Sequence, residues 1–243
     1  MRNYEKELAI RTAFIRSILE DAGAAGIVYG NSGGKDSALV GALCKAACPN
    51  TVGIILPCGS KQNYGSDRDD ALLVAKHFGI DVREIDLTAV KEAMLAAVSP
   101  AAAVTDAAKA NISPRLRMTS LYAVAQSENR LVAGTGNYSE YYAGYFTKWG
   151  DGAYDLNPIA DLTVTEIYEF LRYLGCPARI IEKAPSAGLF DGQTDEKEMG
   201  LTYAELDRYI LTKEAEPAVK VKIEARHSAT AHKRRTPCQF GVE

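Results

Sequence analysis

The residues with the clearest chemical capacity form the run Ser32-Gly33-Gly34-Lys35-Asp36-Ser37. Two adjacent glycines let backbone N–H groups approach an anion without side-chain interference, and a helix starting there adds the positive end of its dipole. Ser32 and Ser37 supply hydroxyl donors for phosphate oxygens. Asp36 repels a bare phosphate, and it makes chemical sense when Mg²⁺ bridges it to a pyrophosphate. With Gly30 and Asn31 leading in, Gly30 through Ser37 form a candidate phosphate loop. A bare strand–helix turn would need the glycines but not Asp and Ser in that arrangement. Two other phosphate loops do not fit. A Walker A loop would put its first glycine at Tyr29 and its Ser/Thr at Asp36, and no GxGxxG is present.

A second polar concentration runs from Tyr138 to Tyr154, with five tyrosines, Trp149, Lys148, Glu140 and Asp151 and no apolar period. Such a stretch makes a poor core and a good binding loop. It follows the turn Gly134-Thr135-Gly136-Asn137.

Both regions need elements to position them. Ile10, Phe14, Ile15, Ile18 and Leu19 recur at helical spacing and predict a first helix over 3–22. Strands are predicted at 26–29, 51–56, 81–87 and 130–133, and helices at 37–47, 67–78, 88–98 and 113–129. Strand and helix alternate at the spacing of βαβ units, which implies an α/β fold: a doubly wound, mostly parallel sheet with helices on both faces. Further helices are expected at 163–174, 202–211 and 218–226, and the glycine-rich acidic stretch 185–200 reads as a mobile loop. No repeat, low-complexity tract or linker divides the chain, so 1–243 reads as one domain.

Composition sets the class. The 243 residues carry 28 Lys+Arg against 31 Asp+Glu, a formal charge of 28 − 31 = −3, with 47% hydrophobic residues. Disorder requires lower hydrophobicity and higher net charge, and a general nucleic-acid coat would be markedly basic. Five cysteines without CxxC spacing indicate neither a disulfide framework nor a zinc knuckle. The N-terminal MRNYEKELAI is too charged for a secretory signal and no apolar run approaches about 18 residues, so a cytoplasmic protein with no membrane partner is expected.

The glycine loop resembles the SGGxDS pyrophosphate loop of the ATP pyrophosphatases, a Rossmann-like superfamily that cuts ATP between its α and β phosphates and adenylates a substrate oxygen. That loop alone leaves GMP synthetases and tRNA-thiolating enzymes open. Further segments narrow the choice: Asn-Ile-Ser-Pro-Arg-Leu-Arg-Met at 111–118, Gly-Thr-Gly-Asn-Tyr-Ser-Glu at 134–140, Gly-Tyr-Phe-Thr-Lys-Trp-Gly-Asp-Gly-Ala at 144–153, Pro-Ser-Ala-Gly-Leu at 185–189 and His-Lys-Arg at 232–234. In that order they resemble ammonia-dependent NAD synthetase. The resemblance implies the reaction deamido-NAD⁺ + ATP + NH₃ → NAD⁺ + AMP + PPi through an acyl-adenylate. It also implies Mg²⁺ and a homodimer, with no nucleic-acid partner.

Carried over residue by residue, the resemblance implies that Gly30, Asn31, Ser32, Gly33, Gly34, Lys35, Asp36 and Ser37 hold the ATP phosphates. Thr135 and Ser186 contact ATP, and Asp36 and Glu140 ligate the metal. Arg115, Lys148, Asp155, His232 and Lys233 bind deamido-NAD, with Lys148 near the reacting carboxylate. Asp151 is the candidate to orient or deprotonate ammonia. Arg117, two residues beyond Arg115, falls on another helix face and reads as an ion-pair residue. One departure stands out. Many relatives have Leu-Thr-Lys where this chain has Leu162-Thr163-Val164, and Lys35, where many relatives are uncharged, is a candidate to restore the missing cation. A tRNA-thiolating enzyme and a noncatalytic nucleotide sensor are the competing readings. Against the first stand the absence of paired cysteines, the lack of an added RNA-binding domain and the weak overall charge; against the second stand two intact metal carboxylates.

Overall fold

Tyr29 lies across two glycines, and that packing sets the centre of the fold. In the computed structural model, which describes residues 2–60, 64–183 and 195–241, its ring lies against Gly41 and Gly53. A Cβ on Gly41 would lie 2.7 Å from Tyr29 Cζ, so the close approach of helix and strand excludes any larger residue.

Four strands, β1 (Gly26–Gly30), β2 (Thr51–Ile55), β3 (Asp81–Glu84) and β4 (Arg130–Ala133), pair in parallel in the order β3-β2-β1-β4. Alternation along β1 divides two cores. Ile27 and Tyr29 pack with α1 (Tyr4–Ala22), α2 (Lys35–Ala47) and α3 (Ser66–Phe78) through residues such as Ile15, Leu39 and Val74. Val28 faces the other way, with Val52, Ile54, Leu87 and Val132; α4 (Thr88–Val98) packs on α5 (Asp106–Ser127), which covers this face through Ala125. Both faces are therefore covered, as the apolar strands predict.

After β4 come α6 (Tyr138–Ala143), α7 (Val164–Tyr173), α8 (Ala178–Ile181), α9 (Asp195–Met199), α10 (Tyr203–Thr212), α11 (Pro217–Ala229) and a 3₁₀ turn at Ala231–Arg234. Phe170 of α7 joins the first core. A third cluster, around Ala143, Val164, Tyr203, Leu206 and Ile223, ties α6, α7, α10 and α11 into a helical flank. Within it Asp207 accepts from the Thr165 N–H and hydroxyl, each at 2.7 Å, and pairs with the Ser139 hydroxyl, which in turn accepts the Val164 N–H at 3.1 Å.

Four expectations change. Residues 138–143 are helical, because Asn137 and Glu140 form a reciprocal capping box that starts α6. α5 starts at Asp106 instead of 113: Thr105 caps it by accepting from the Ala108 N–H, and Pro114 sits inside the helix. β3 ends at Glu84, short of 87. Of the stretch read as a loop at 185–200, Asp195–Met199 is helical and the portion up to 194 lies outside the described residues. Among the described residues no helix is long and apolar enough to cross a membrane.

Candidate active site

β2 and β4 flank β1 on opposite sides, so the chain reverses its direction of travel across the sheet there. The crevice beyond the carboxyl ends of such strands is where open α/β sheets bind ligands. The glycine loop leaves β1 into this crevice, and the turn 134–137 leaves β4 into it. A cavity of ≈ 480 Å³ opens between them.

The glycine loop is held before any ligand arrives. Asn31, buried at 1% exposure, donates from Nδ2 to Ala71 O at 3.0 Å. Gly33 has φ +73°, and a Cβ there would meet the Asp67 carbonyl and lie 2.7 Å from Ala71 N, so only glycine can sit against the start of α3. Ser32 and Ser37 hydroxyls lie 3.1 Å apart, and Ser37 also donates to Gly34 O at 3.0 Å. α2 begins at Lys35 and aims its N-terminal amides into the crevice.

Asp36 and Glu140 both line the cavity, and Asn137 connects them. Asn137 Nδ2 donates to Asp36 Oδ1 at 3.1 Å, its Oδ1 accepts from the Glu140 N–H at 2.9 Å, and its own N–H donates to Glu140 Oε2 at 3.2 Å. At 0% exposure this asparagine is wholly enclosed. Burial, reinforced by the Asp36 charge, pushes the Glu140 carboxyl well above the usual carboxylate range. Lys35 is the counter-ion. Its Nζ lies 2.8 Å from Asp36 Oδ2 and 5.4 Å from the Tyr203 ring centroid. Burial works against its charge, but Asp36 and Glu140 outweigh that and raise its pKa. Tyr203 belongs to the same apolar cluster as Val164, which lies in the core at 2% exposure. The cation at Lys35 thus stands beside the cluster that holds Val164.

A cationic side faces this acidic end. Arg117, Arg226 and Lys233 line the cavity together with Asp151. Arg117 Nε donates to Leu56 O at 3.0 Å. Lys233 Nζ donates to Gly144 O and Phe146 O, both at 2.8 Å. Burial lowers the Lys233 pKa, and Arg226, Arg115 and Arg234 add repulsion that Asp151 partly offsets. Asp151 is open toward the cavity and accepts from the Thr147 N–H at 3.0 Å; desolvation by the surrounding atoms nonetheless pushes its carboxyl upward.

The cavity therefore brings together Gly30, Asn31, Ser32, Gly34, Lys35, Asp36, Ser37, Thr135, Glu140, Asp151 and Lys233. Five expected residues lie off its wall. Arg115 is exposed, with Nη2 3.3 Å from Lys148 O. The Lys148 ammonium donates to His232 O at 2.9 Å and Arg235 O at 3.2 Å, and His232 is exposed. Asp155 accepts from the Val132 N–H at 2.7 Å and the Tyr122 hydroxyl at 3.1 Å. Gly33 faces α3, and Ser186 lies outside the described residues. Arg117, read as an ion-pair residue, turns inward beside Leu56 and lines the cavity, and Arg115 turns out. Residue 117 shares a helix face with the cavity-lining 114, 118 and 121, a spacing that could have identified it. Asn137 could have been found as the first member of Asn-x-x-Glu. Nothing local marks Arg226.

Comparison with known proteins agrees with this geometry. Residues 7–237 match the family described as NAD synthase. The NH(3)-dependent NAD(+) synthetase of Carboxydothermus hydrogenoformans is 44% identical over 238 residues, covering 97% of each chain. Among solved structures, the NMN synthetase of Francisella tularensis superposes with TM-score 0.93 at 37% identity over 100% of both chains. The NH3-dependent NAD synthetase of Campylobacter jejuni superposes with TM-score 0.79 at 28% identity, over 99% of this chain and 100% of its own. A match this long, over a phosphate loop and paired carboxylates set at the switch point of the sheet, assigns the chain to the NAD synthase family.

Proposed function

We propose that the protein amidates the nicotinate carboxylate of deamido-NAD with ammonia, consuming ATP and releasing NAD⁺, AMP and pyrophosphate. It is a ligase of the NAD synthase family. The observation that carries the reading is the Asn137 bridge, which holds one carboxylate at the phosphate loop and a second on α6 in a single cavity.

A carboxylate is a poor acyl donor because oxide is a bad leaving group. Its oxygen attacks the α-phosphorus of ATP and pyrophosphate leaves; ammonia then adds to the carbonyl and AMP departs with the attacking oxygen. The protein's task is to juxtapose two polyanions and neutralise them where charge develops. Loop amides, the N-terminus of α2, Ser32, Ser37 and Thr135 receive the triphosphate, and Lys35 adds a cation beside Asp36. Asp151 accepts a proton from the attacking nitrogen, a role its raised pKa suits. Asp36 and Glu140 would hold Mg²⁺. Two half-buried carboxylates, one of which desolvation and the charge of the other keep from ionising, fit a divalent cation; Asp195 also raises the Glu140 pKa, but among the described residues no group of three or more His, Cys, Asp or Glu is placed to hold a metal. Held there, Mg²⁺ would screen the charge of the triphosphate. Arg115, Lys148, Asp155 and His232, off the cavity wall, remain candidates for the far half of deamido-NAD. The homodimer expected for the family belongs to this reading, and light scattering tests it.

A second acyl substrate is favoured by one observation: the superposition at 0.93 is on an NMN synthetase, against 0.79 on the NAD synthetase of Campylobacter. Nicotinate mononucleotide would undergo the same chemistry to give the mononucleotide amide. Purified protein with ATP, Mg²⁺ and ammonium is given deamido-NAD and nicotinate mononucleotide in separate reactions. AMP formed with the amide of either nucleotide supports the ligase reading, and the ratio of the two kcat/KM values selects the substrate. Absence of amide from both overturns it.

A further inference from the structure

We propose that Arg226, acting with Lys233, is the seat for the phosphate of the nicotinate nucleotide, and that it favours a terminal phosphate monoester over the internal diester of a dinucleotide. This rests on the ligase reading above.

Arg226 occupies the last turn of α11 and reaches the cavity wall. Its guanidinium lies over the Tyr145 ring, Cζ 5.7 Å from the centroid, which fixes the plane of the group. Its Nε is fully buried with no hydrogen-bond partner, and among the described residues no carboxylate pairs with the guanidinium. An arginine stays charged at any working pH, so an unpaired guanidinium with buried nitrogen costs stability. Its surroundings deepen that cost: Lys233 is close enough for Arg226 to depress its affinity for a proton, and Arg117 lines the same cavity. The acids on this wall are Asp151, the group needed for the nitrogen, and Glu198, which accepts from the Tyr145 hydroxyl; among the described residues neither forms an ion pair with the Arg226 guanidinium. A cluster of like charges with one buried donor unsatisfied is a poor structural device and a good anion seat.

Charge bookkeeping assigns the anion. Two anionic substrates enter one cavity. The glycine loop, the start of α2 and Lys35 serve the triphosphate at one end. The cations on the other side are left for the second substrate, which offers a carboxylate and a phosphate. The carboxylate must stay free to attack phosphorus, and a guanidinium clamp would reduce its nucleophilicity. The phosphate is therefore the group held. A terminal monoester carries about −1.5 to −2 at pH 7 against about −1 for a diester, so a two-cation seat gains more from the monoester.

The test uses Arg226→Met, which keeps the unbranched stem against Tyr145, and Arg226→Lys, which keeps the charge. Dissociation constants for nicotinate mononucleotide and for nicotinate riboside, which lacks the phosphate, are measured by calorimetry. Steady-state constants for ATP, mononucleotide and deamido-NAD accompany them. In Arg226→Met the mononucleotide binds about 10- to 100-fold more weakly, as expected for loss of charge-assisted hydrogen bonds. Riboside affinity and the KM for ATP stay put, and the kcat/KM ratio of mononucleotide to dinucleotide falls. Arg226→Lys recovers part of the loss. Equal weakening of riboside and mononucleotide, a rise in the ATP KM alone, or no change in Arg226→Met overturns the seat. Should Arg226→Met fail to fold, Arg226→Lys decides: mononucleotide affinity and the nucleotide ratio both at wild-type values overturn a fork-shaped seat, and a selective drop supports it. Wild-type protein that amidates neither nucleotide overturns the ligase reading instead, so the two failures are distinguishable.

Discussion

The two sides of the cavity are built by opposite means. The acidic, phosphate-facing side grows out of the sheet: β1, its glycine turn and α2 are contiguous in sequence, and Asn31, Ser32, Gly33 and Ser37 fix the loop through bonds within it or to α3. The cationic side is assembled from α5, which packs on β1 and β4, and from the 144–151 segment, the end of α11 and the terminal 3₁₀ turn, which lie toward a separate apolar cluster. On the proposed function the first receives the triphosphate and the second the nicotinate nucleotide. Rigid, local construction suits a group every member of a superfamily binds; a side made of distant pieces can change its residues without disturbing the sheet.

Substitutions can break this contrast. The largest effect is expected at the carboxylates. Asp36→Asn and Glu140→Gln should each lower kcat/KM by about 10²–10⁴-fold, the scale of losing electrostatic stabilisation at a reacting phosphate. Thermal melting of Glu140→Gln should be unchanged or higher, since burial already disfavours its charge. A clear drop in melting temperature with retained activity would reverse the assignment.

Next in size are two buried contacts, one in the helical flank and one in the sheet core. Asp207→Ala removes the acceptor for Thr165 and the partner of Ser139, and should cost about 2–3 kcal/mol in urea unfolding. It should also lower activity, because Ser139 sits in the helix that carries Glu140. Gly41→Ala should cost about 1–3 kcal/mol by overpacking against Tyr29 while leaving the KM for ATP nearly unchanged. If Gly41→Ala altered nucleotide selection instead, the two sides would not be as independent as the packing indicates.

The smallest and most pointed effect concerns Asp151. Desolvation raises its pKa, so the carboxylate required as proton acceptor forms only above the ordinary aspartate range. Activity at saturating nucleotide should rise with pH through that raised value, and Asp151→Asn should lower activity and flatten this acid limb. Stability runs the other way. The fold favours the protonated group, a contribution present at low pH and lost as pH rises through the folded-state pKa; Asp151→Asn should remove that loss. An acid limb unchanged in Asp151→Asn would take Asp151 out of proton transfer.

The same contrast explains what the sequence discloses. Gly-Gly-x-Asp-Ser between a strand and a helix is legible because its parts are neighbours along the chain, and the parallel sheet follows from strands alternating with helices. The helix at Tyr138–Ala143 hides behind tyrosines that lack an apolar period, although its capping box is written in Asn137 and Glu140. Arg117 and Arg115 differ only in which way a helix is turned, and that is decided by the packing of α5 on β1 and β4, not by either residue. Arg226 becomes visible as a site residue only when α11 folds back toward Tyr145.

Oxygen tracing tests the central claim most directly. The nicotinate carboxylate is labelled with ¹⁸O at both positions and turned over with unlabelled ATP and ammonium, and the products are weighed by mass spectrometry. Attack on the α-phosphorus predicts AMP carrying one ¹⁸O, unlabelled pyrophosphate, and one ¹⁸O retained in the amide. Labelled orthophosphate released with ADP would contradict it.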